Sequence, residues 1–166
     1  MKLVEAQNIE VRNMPERAVA YLRHVGPYAG DHALFERLFS EFFHWAMPRG
    51  LFQPPQTETV TIYHDNPEIT DEDKLRISVG ITVAHGTPTS GEIGSLELPA
   101  GKYVCARFEI DPAEYGAAWQ TVFGQWLPQS GWQLADGPCY ECYLNDPKTH
   151  PLGKHVVEIR VPVTPL

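Results

Sequence analysis

The stretch YHDNPEITDEDKLRISVGITV, residues 63–83, recurs in outline as YLNDPKTHPLGKHVVEIRVPV, residues 143–163, and this pair decides the fold. Laid one over the other without a gap, Tyr63 meets Tyr143, Pro67 meets Pro147, Lys74 meets Lys154 and Val83 meets Val163. In the first copy Leu75, Ile77, Val79, Ile81 and Val83 alternate with their neighbours, the two-residue period of a strand that buries one face. Upstream, Trp45 with Gly50 answers to Trp126 with Gly131, and Met14-Pro15 answers to Leu98-Pro99. Chance supplies any one such match, but the repeated order of elements makes it a poor account of all of them, and an internal duplication follows.

Outward from this pair the remaining elements fall into place. Leu3 to Arg12 breaks at Asn13-Met-Pro-Glu16 and resumes as Arg17 to Val25, which reads as a hairpin. Asp31 can cap a helix carrying Leu34, Phe35, Leu38, Phe39, Phe42 and Trp45 at three-and-four spacing, and Pro48 and Gly50 end it. Strands follow over Glu58 to Tyr63 and Lys74 to Val83, then Ile93 to Leu98 and Lys102 to Ile110 flank a turn at Pro99-Ala-Gly101. Asp111-Pro-Ala-Glu114 combines a cap, a proline at the first helical position and a carboxylate at the third. The helix it starts places Tyr115, Ala118, Trp119, Val122, Phe123 and Trp126 on one stripe, and strands over Cys139 to Leu144 and Val156 to Val163 complete the second copy.

Each copy is too small to bury a good core alone, so the reading is one domain over 1–166 built from pseudo-repeats 1–83 and 92–166. The predicted class is α+β, a duplicated strand-helix-strand-strand module with a mainly antiparallel sheet of about eight strands. Both helices are expected on one face, with a ligand groove between them.

Charge and cysteine content bound the function. Against 13 Lys plus Arg stand 21 Asp plus Glu, and a net charge of −8 repels phosphate backbones and anionic membranes, so neither is expected as a direct partner. No apolar run approaches the roughly 20 residues that cross a bilayer, and Met1-Lys2-Leu3-Val4-Glu5 lacks the apolar stretch of a signal peptide; a cytoplasmic location is expected. The 3 cysteines, Cys105, Cys139 and Cys142, form no disulfide framework. Cys139 and Cys142 spell C-x-x-C, but on a strand residues three apart face opposite ways, and no second pair completes a metal shell.

Histidines at 24, 32, 44, 64, 85, 150 and 155 show no metal-ligand spacing and read as structural or surface residues. The acidic loop Glu68 to Asp73 lacks calcium-loop spacing. No P-loop, G-x-S-x-G or G-x-G-x-x-G is present, so no cofactor and no metal is expected.

The residue that stands out is Glu141. Alternation along Cys139 to Leu144 sets it on one face with Cys139 and Tyr143, among apolar and aromatic neighbours. A carboxylate there is costly unless hydrogen-bonded or paired, and desolvation is expected to favour its neutral form until a cation arrives. That makes it the candidate ligand anchor; the competing reading pairs it with Arg160 or Arg107 across the strands, or turns it to water.

Arg17-Ala-Val-Ala-Tyr-Leu-Arg-His-Val-Gly-Pro-Tyr28, Trp119 with Trp126-Leu-Pro-Gln-Ser-Gly131, and Tyr140-Glu141-Cys-Tyr-Leu-Asn-Asp-Pro147 together resemble the gyrase-inhibitor-like family. Its domain also serves as the effector-binding part of some AraC-type and multidrug-responsive MerR-type regulators. The resemblance implies a buried glutamate on the penultimate strand that meets lipophilic cations in an aromatic-lined pocket, carried over here to Glu141 with Tyr143 beside it. Trp119 and Tyr28 are further candidates for the lining, against the alternatives of core packing and of pinning a turn. No DNA-binding head precedes the domain in this sequence, so a stand-alone form is expected.

The leading expectation is therefore a binding protein that senses or sequesters an amphipathic, cationic or neutral aromatic small molecule. An enzymatic alternative uses Glu141 as general base to hydrolyse strained electrophilic compounds, as some relatives do. A third reading is a protein-interaction role with DNA gyrase or a regulator as partner, and a weaker fourth is haem binding.

Overall fold

The computed structural model describes residues 2–166; Met1, where the reading of the N-terminal stretch begins, lies outside the described residues. The class is α+β; the described residues form two α-helices and nine strands, and every registered strand pair among them is antiparallel. The chain forms two compact units, one of residues 16–99 and one of 1–15 with 100–166.

The unit of residues 16–99 holds β2 (Arg17–Val25), α1 (His32–Ala46), β3 (Thr59–Tyr63), β4 (Arg76–Val83) and β5 (Ile93–Leu98), the strands running in the order β3-β4-β2-β5. Asp31 caps α1 by accepting from the Leu34 backbone N–H at 3.0 Å. The helix buries Leu34, Leu38, Phe42 and Ala46, its i, i+4, i+8, i+12 stripe, against Ala20, Leu22, Ile77, Val79 and Ile81. Gly80 on β4 is a forced choice, because a Cβ there would stand 1.9 Å from the Ala20 carbonyl oxygen on β2.

The other unit holds β1 (Asn8–Met14), β6 (Gly101–Ile110), α2 (Tyr115–Gln120), β7 (Trp132–Leu134), β8 (Cys139–Tyr143) and β9 (His155–Pro165). Its strands run β1-β6-β9-β8, with β7 paired to the end of β9. The capping box read from Asp111-Pro-Ala-Glu114 is formed in full, the Glu114 carboxylate accepting from the Asp111 N–H at 2.8 Å. Val104, Ala106, Phe108, Ile110, Val157, Ile159, Val161 and Val163 make the face that Ala118 and Val122 cover.

Two expectations need correction. The hairpin of the first two strands does not form, since β1 pairs with β6 while β2 lies between β4 and β5. The turn at Pro99-Ala-Gly101 likewise separates β5, paired with β2, from β6, paired with β1 and β9. Both breaks contain a proline, which removes an amide donor from a tight ladder and redirects the chain. The described residues hold nine strands, in keeping with the expected sheet of about eight, the three-residue β7 carrying too little pattern to be seen in sequence.

The second helix also departs from its counterpart. After Gln120 it widens into a π-helical stretch over Thr121–Trp126, then tightens at Leu127–Gln129. The repeat explains why. Asp31 and Asp111 match at the same spacing as Tyr63 and Tyr143, whereas Trp45 and Trp126 match at a spacing one residue longer, so the second helix carries one extra residue. A π-turn is the way a helix absorbs a single insertion without rotating the faces on either side. Thr121 sits at its start, its hydroxyl donating to the Val4 carbonyl at 2.7 Å and back to that of Ala117 at 3.1 Å.

Candidate functional site

In the unit that carries β8 and α2, Glu141 is 2 % exposed. Its β9 partner is Ile159, a member of the core face covered by α2, so alternation along β8 directs the carboxylate to the helix side together with Cys139 and Tyr143. Two aromatic side chains hold it. Trp119 Nε1 donates to Oε2 at 2.6 Å from α2, and the Tyr143 hydroxyl donates to Oε1 at 2.7 Å from the same strand. One donor per oxygen fixes the plane of the carboxylate, and hydrogen bonds to a charged acceptor are the strong ones.

Around this trio the lining is aromatic. Trp119 stacks on Phe123 at a centroid separation of 5.8 Å and an interplanar angle of 12°. Tyr115, one turn before Trp119, places its hydroxyl 2.6 Å from His155 Nδ1 at the start of β9 and packs edge-on against that ring. Burial, and after it the negative charge of Glu141, hold the Tyr115 hydroxyl well above the usual phenol range, so it stays protonated. Cys139 is pushed up to about 11 by burial, and its thiol is inert at neutral pH.

The cross-strand arginines face away from this site. Arg160 sits on the opposite face of β9, where it donates to Glu158 at 2.8 Å and to the Tyr140 hydroxyl at 3.3 Å, and Arg12 of β1 joins Glu158 as well. Cys105, Tyr140 and Cys142 share that face, and Arg107 lies exposed on it. The C-x-x-C pair therefore diverges as its strand geometry requires, Cys139 on one face and Cys142 on the other.

Of the four residues singled out from sequence, Glu141, Tyr143 and Trp119 form one hydrogen-bonded cluster. Tyr28 belongs to the other unit, where it packs on Phe35 and Tyr63 at 6.4 and 5.6 Å between ring centroids. The sequence reading missed Tyr115 as a site residue and set His155 aside. The signal was available in the i, i+4 relation of Tyr115 to Trp119 and in the alternation that puts His155 on the face of Val157 and Ile159.

The duplication supplies an internal control. At the repeat spacing that matches the two caps, Phe35 stands for Tyr115, Phe39 for Trp119, Phe43 for Phe123, Thr61 for Glu141, Tyr63 for Tyr143 and Leu75 for His155. Phe39 and Phe43 stack at 6.3 Å as Trp119 and Phe123 do, so the helix face is retained ring for ring. What the residue 16–99 unit lacks is the indole N–H, the second phenol, the carboxylate and the imidazole. It nonetheless folds on the same plan, with Thr61 wholly buried and Leu75 nearly so. The polar set is therefore not something the module needs in order to fold.

Other concavities are less suited to chemistry. One of about 580 Å³ runs along Ser40, Phe43, His44 and Met47 on α1, and another of about 270 Å³ lies by Tyr28, Pro67, Glu72 and Leu75; neither lining includes a buried ionisable group. Glu16, His85 and Glu97, all exposed, bring one ligand atom each within 4.8 Å of one another at the ends of β2, β4 and β5. Among the described residues no helix is long and apolar enough to cross a membrane.

The chain is 30% identical over 160 residues to a DNA gyrase inhibitor of Edwardsiella piscicida, covering 93% of this chain and 97% of that protein. It is 31% identical over 149 residues to one of Yersinia enterocolitica, covering 82% and 85%. Among solved structures the EcmrR C-terminal domain superposes with a TM-score of 0.78 at 20% identity, over 96% of this chain and 98% of that one. A hydrolase from Listeria innocua superposes at 0.60 with 13% identity, covering 97% and 94%. A protein solved with tetraphenylphosphonium bound superposes at 0.61 with 15% identity, covering 95% and 94%. These likenesses carry the fold, and the sequence profile of the GyrI-like small molecule binding domain matches residues 7–164. Matched by that profile over residues 7–164, the chain belongs to the GyrI-like small molecule binding domain family.

Proposed function

We propose that the protein binds an amphipathic, aromatic cation at Glu141, with Trp119 and Tyr143 as the surrounding recognition surface, and that it acts by sensing or sequestering that molecule. The observation that carries the reading is the Glu141 carboxylate itself, buried on an aromatic face at a position where the other repeat has Thr61. Taking a carboxylate out of water costs several kcal/mol, roughly, and a site that keeps one without need from the fold is arranged for something else. Aromatic faces attract a desolvated cation by about 0.5–2 kcal/mol each and give large flat ligands their buried area. Bound tetraphenylphosphonium in a structural neighbour is a cation of this class, and supports the choice of probe.

Glu141 lies beneath Trp119 and Tyr143, so entry requires those side chains to part. The π-helical stretch that begins two residues after Trp119 has weaker hydrogen-bond geometry than a regular α-helix and is the natural place for that adjustment. Titration of tetraphenylphosphonium into wild type and Glu141→Gln tests the anchor. Loss of the charge is expected to weaken binding by about 1.5–3 kcal/mol, roughly ten- to a hundredfold, and equal affinities would remove Glu141 from the role.

A second reading has one observation in its favour: Tyr143 and Glu141, 2.7 Å apart, are an acid and a base in contact, and a structural neighbour is a hydrolase. In that reading Glu141 activates water against a strained electrophile while a phenol protonates the leaving atom. Mass spectrometry of strained-ring electrophiles incubated with the protein separates the two, since a binder returns them unchanged. The DNA gyrase inhibitor relatives extend the proposal to a protein partner. Inhibition of gyrase supercoiling by the purified protein would support that role, and an unaffected reaction would remove it.

A further inference from the structure

In the unit of residues 16–99, three adjacent strands bring together a set of donors that the Glu141 site does not use. On β2, Ala18 stands opposite Val83 of β4 on one side and Glu97 of β5 on the other. Residues opposite one another in an antiparallel pair share a face, as do residues two apart along a strand. Glu16, two before Ala18, and His85, two after Val83, therefore continue the face that carries Glu97. All three side chains are exposed, and one ligand atom from each lies within 4.8 Å of the other two. His85 Nδ1 is 2.9 Å from Glu97 Oε1. That pair alone is an ordinary surface contact, but Glu16 adds a second carboxylate at the same end of the sheet, and like charges there repel. Among the described residues no lysine or arginine forms an ion pair with either glutamate. At the corresponding places of the β9-β6-β1 ladder stand Pro165, Ala100 and Asn13, so neither the carboxylates nor the imidazole belong to what the module needs in order to fold.

We propose that Glu16, His85 and Glu97 form a binding site for a first-row divalent metal ion, with zinc the best fit by donor type. Two donors held about 2.0–2.2 Å from one such ion stand about 3–3.5 Å apart, so the His85–Glu97 separation already matches an edge of its coordination shell. Rotation of the exposed Glu16 side chain brings in the third ligand. Two carboxylates and a neutral imidazole balance the charge of a divalent ion, and water completes the shell on the solvent side. One nitrogen with two oxygens is a borderline donor set: calcium takes about six to eight oxygen ligands, and copper(I) prefers thiolates and thioethers. The ion would tie β5, the last strand of the order β3-β4-β2-β5, and the connector between β4 and β5, which carries His85, to the start of β2. The same connector meets α1 at Ser90, whose hydroxyl accepts from Trp45 Nε1 at 3.3 Å. No spacing in the sequence marks this site, because its ligands stand at 16, 85 and 97 and meet only through strand pairing. It is independent of Glu141, which belongs to the other unit.

Calorimetric titration of the full chain with zinc chloride, and with calcium chloride for comparison, tests the site. Wild type is expected to bind zinc at micromolar concentration and calcium far more weakly. Glu16→Gln, His85→Ala and Glu97→Gln are each expected to weaken zinc binding by more than the roughly tenfold that loss of an outer-shell partner costs. Glu16→Gln decides most, because it leaves the His85–Glu97 contact in place. Hydrogen exchange supplies a second readout: zinc should slow the amides of residues 84–98 in wild type and leave them unchanged in Glu16→Gln. Absence of zinc binding to wild type would overturn the proposal. So would a zinc affinity that none of the three variants changes, which would place the ion on other histidines, or calcium binding as tight as zinc, which would reduce the cluster to an acidic surface. All three groups are exposed, so the variants are expected to keep the circular dichroism spectrum of wild type and its response to tetraphenylphosphonium.

Discussion

Tyr143→Phe is the cleanest perturbation of the site. It deletes one oxygen, leaves the ring packed on the core face and opens no cavity, so the loss falls on the hydroxyl, which donates to Oε1 of Glu141 at 2.7 Å. A hydrogen bond to a charged group is worth about 1.5–3 kcal/mol net, against about 0.5–1.5 kcal/mol for a neutral pair. Tyr143 is only half-buried, which favours the lower end, so a loss near 1.5 kcal/mol is expected. Urea denaturation followed by far-ultraviolet circular dichroism should show the midpoint of Tyr143→Phe well below that of wild type, with unchanged slopes. A Tyr143→Phe variant as stable as wild type would refute the claim that the phenol holds the buried Glu141 carboxylate.

Other consequences lie away from the carboxylate. His64, in contact with Ser78 at 2.8 Å, is lowered to about 4 by burial and by the nearby charges of Arg23 and Arg76, against a smaller opposing effect of Asp65. The unfolded chain takes up that proton near pH 6.5 and the folded one does not, so the stabilisation is complete above that value and is lost as pH falls toward 4. Linkage sets an upper limit of about 3 kcal/mol, and partial exposure brings it to about 1–2 kcal/mol; His64→Asn should flatten this part of the stability profile. Gly80→Ala must drive a Cβ into the Ala20 carbonyl, and a loss of about 3 kcal/mol or failure to express folded protein is expected, checked by thermal denaturation. Cys139, with its thiol near 11 and only partly accessible, should react with a disulfide reagent at pH 8 far more slowly than in urea; equal rates would contradict its burial.

The elements that sequence disclosed are those whose signals are local. Alternation marks β4 and β9, the capping box at Asp111 and Glu114 marks the start of a helix, and the repeat aligns the two copies without reference to any contact. Strand partnership is not local. Nothing in Asn13-Met-Pro-Glu16 tells whether the chain doubles back or leaves for a distant neighbour, and here β1 pairs with β6. The π-stretch was implicit in the one-residue change of repeat spacing, but only the coordinates show where the helix takes up the extra residue. The site divides in the same way. Glu141 and Tyr143 are two residues apart on one strand, so period two suffices to join them, whereas Tyr115 and His155 meet only through the packing of a helix on a sheet. A half-buried histidine without metal-ligand spacing carries no sequence mark that sets it apart from those at the surface.

The most direct measurement is a crystal structure of the protein with tetraphenylphosphonium. The account predicts the cation within about 6 Å of the Trp119 or Tyr143 ring, facing the Glu141 carboxylate, with those side chains moved aside to admit it. Density for the cation elsewhere, over a Glu141 still closed beneath Trp119 and Tyr143, would contradict it.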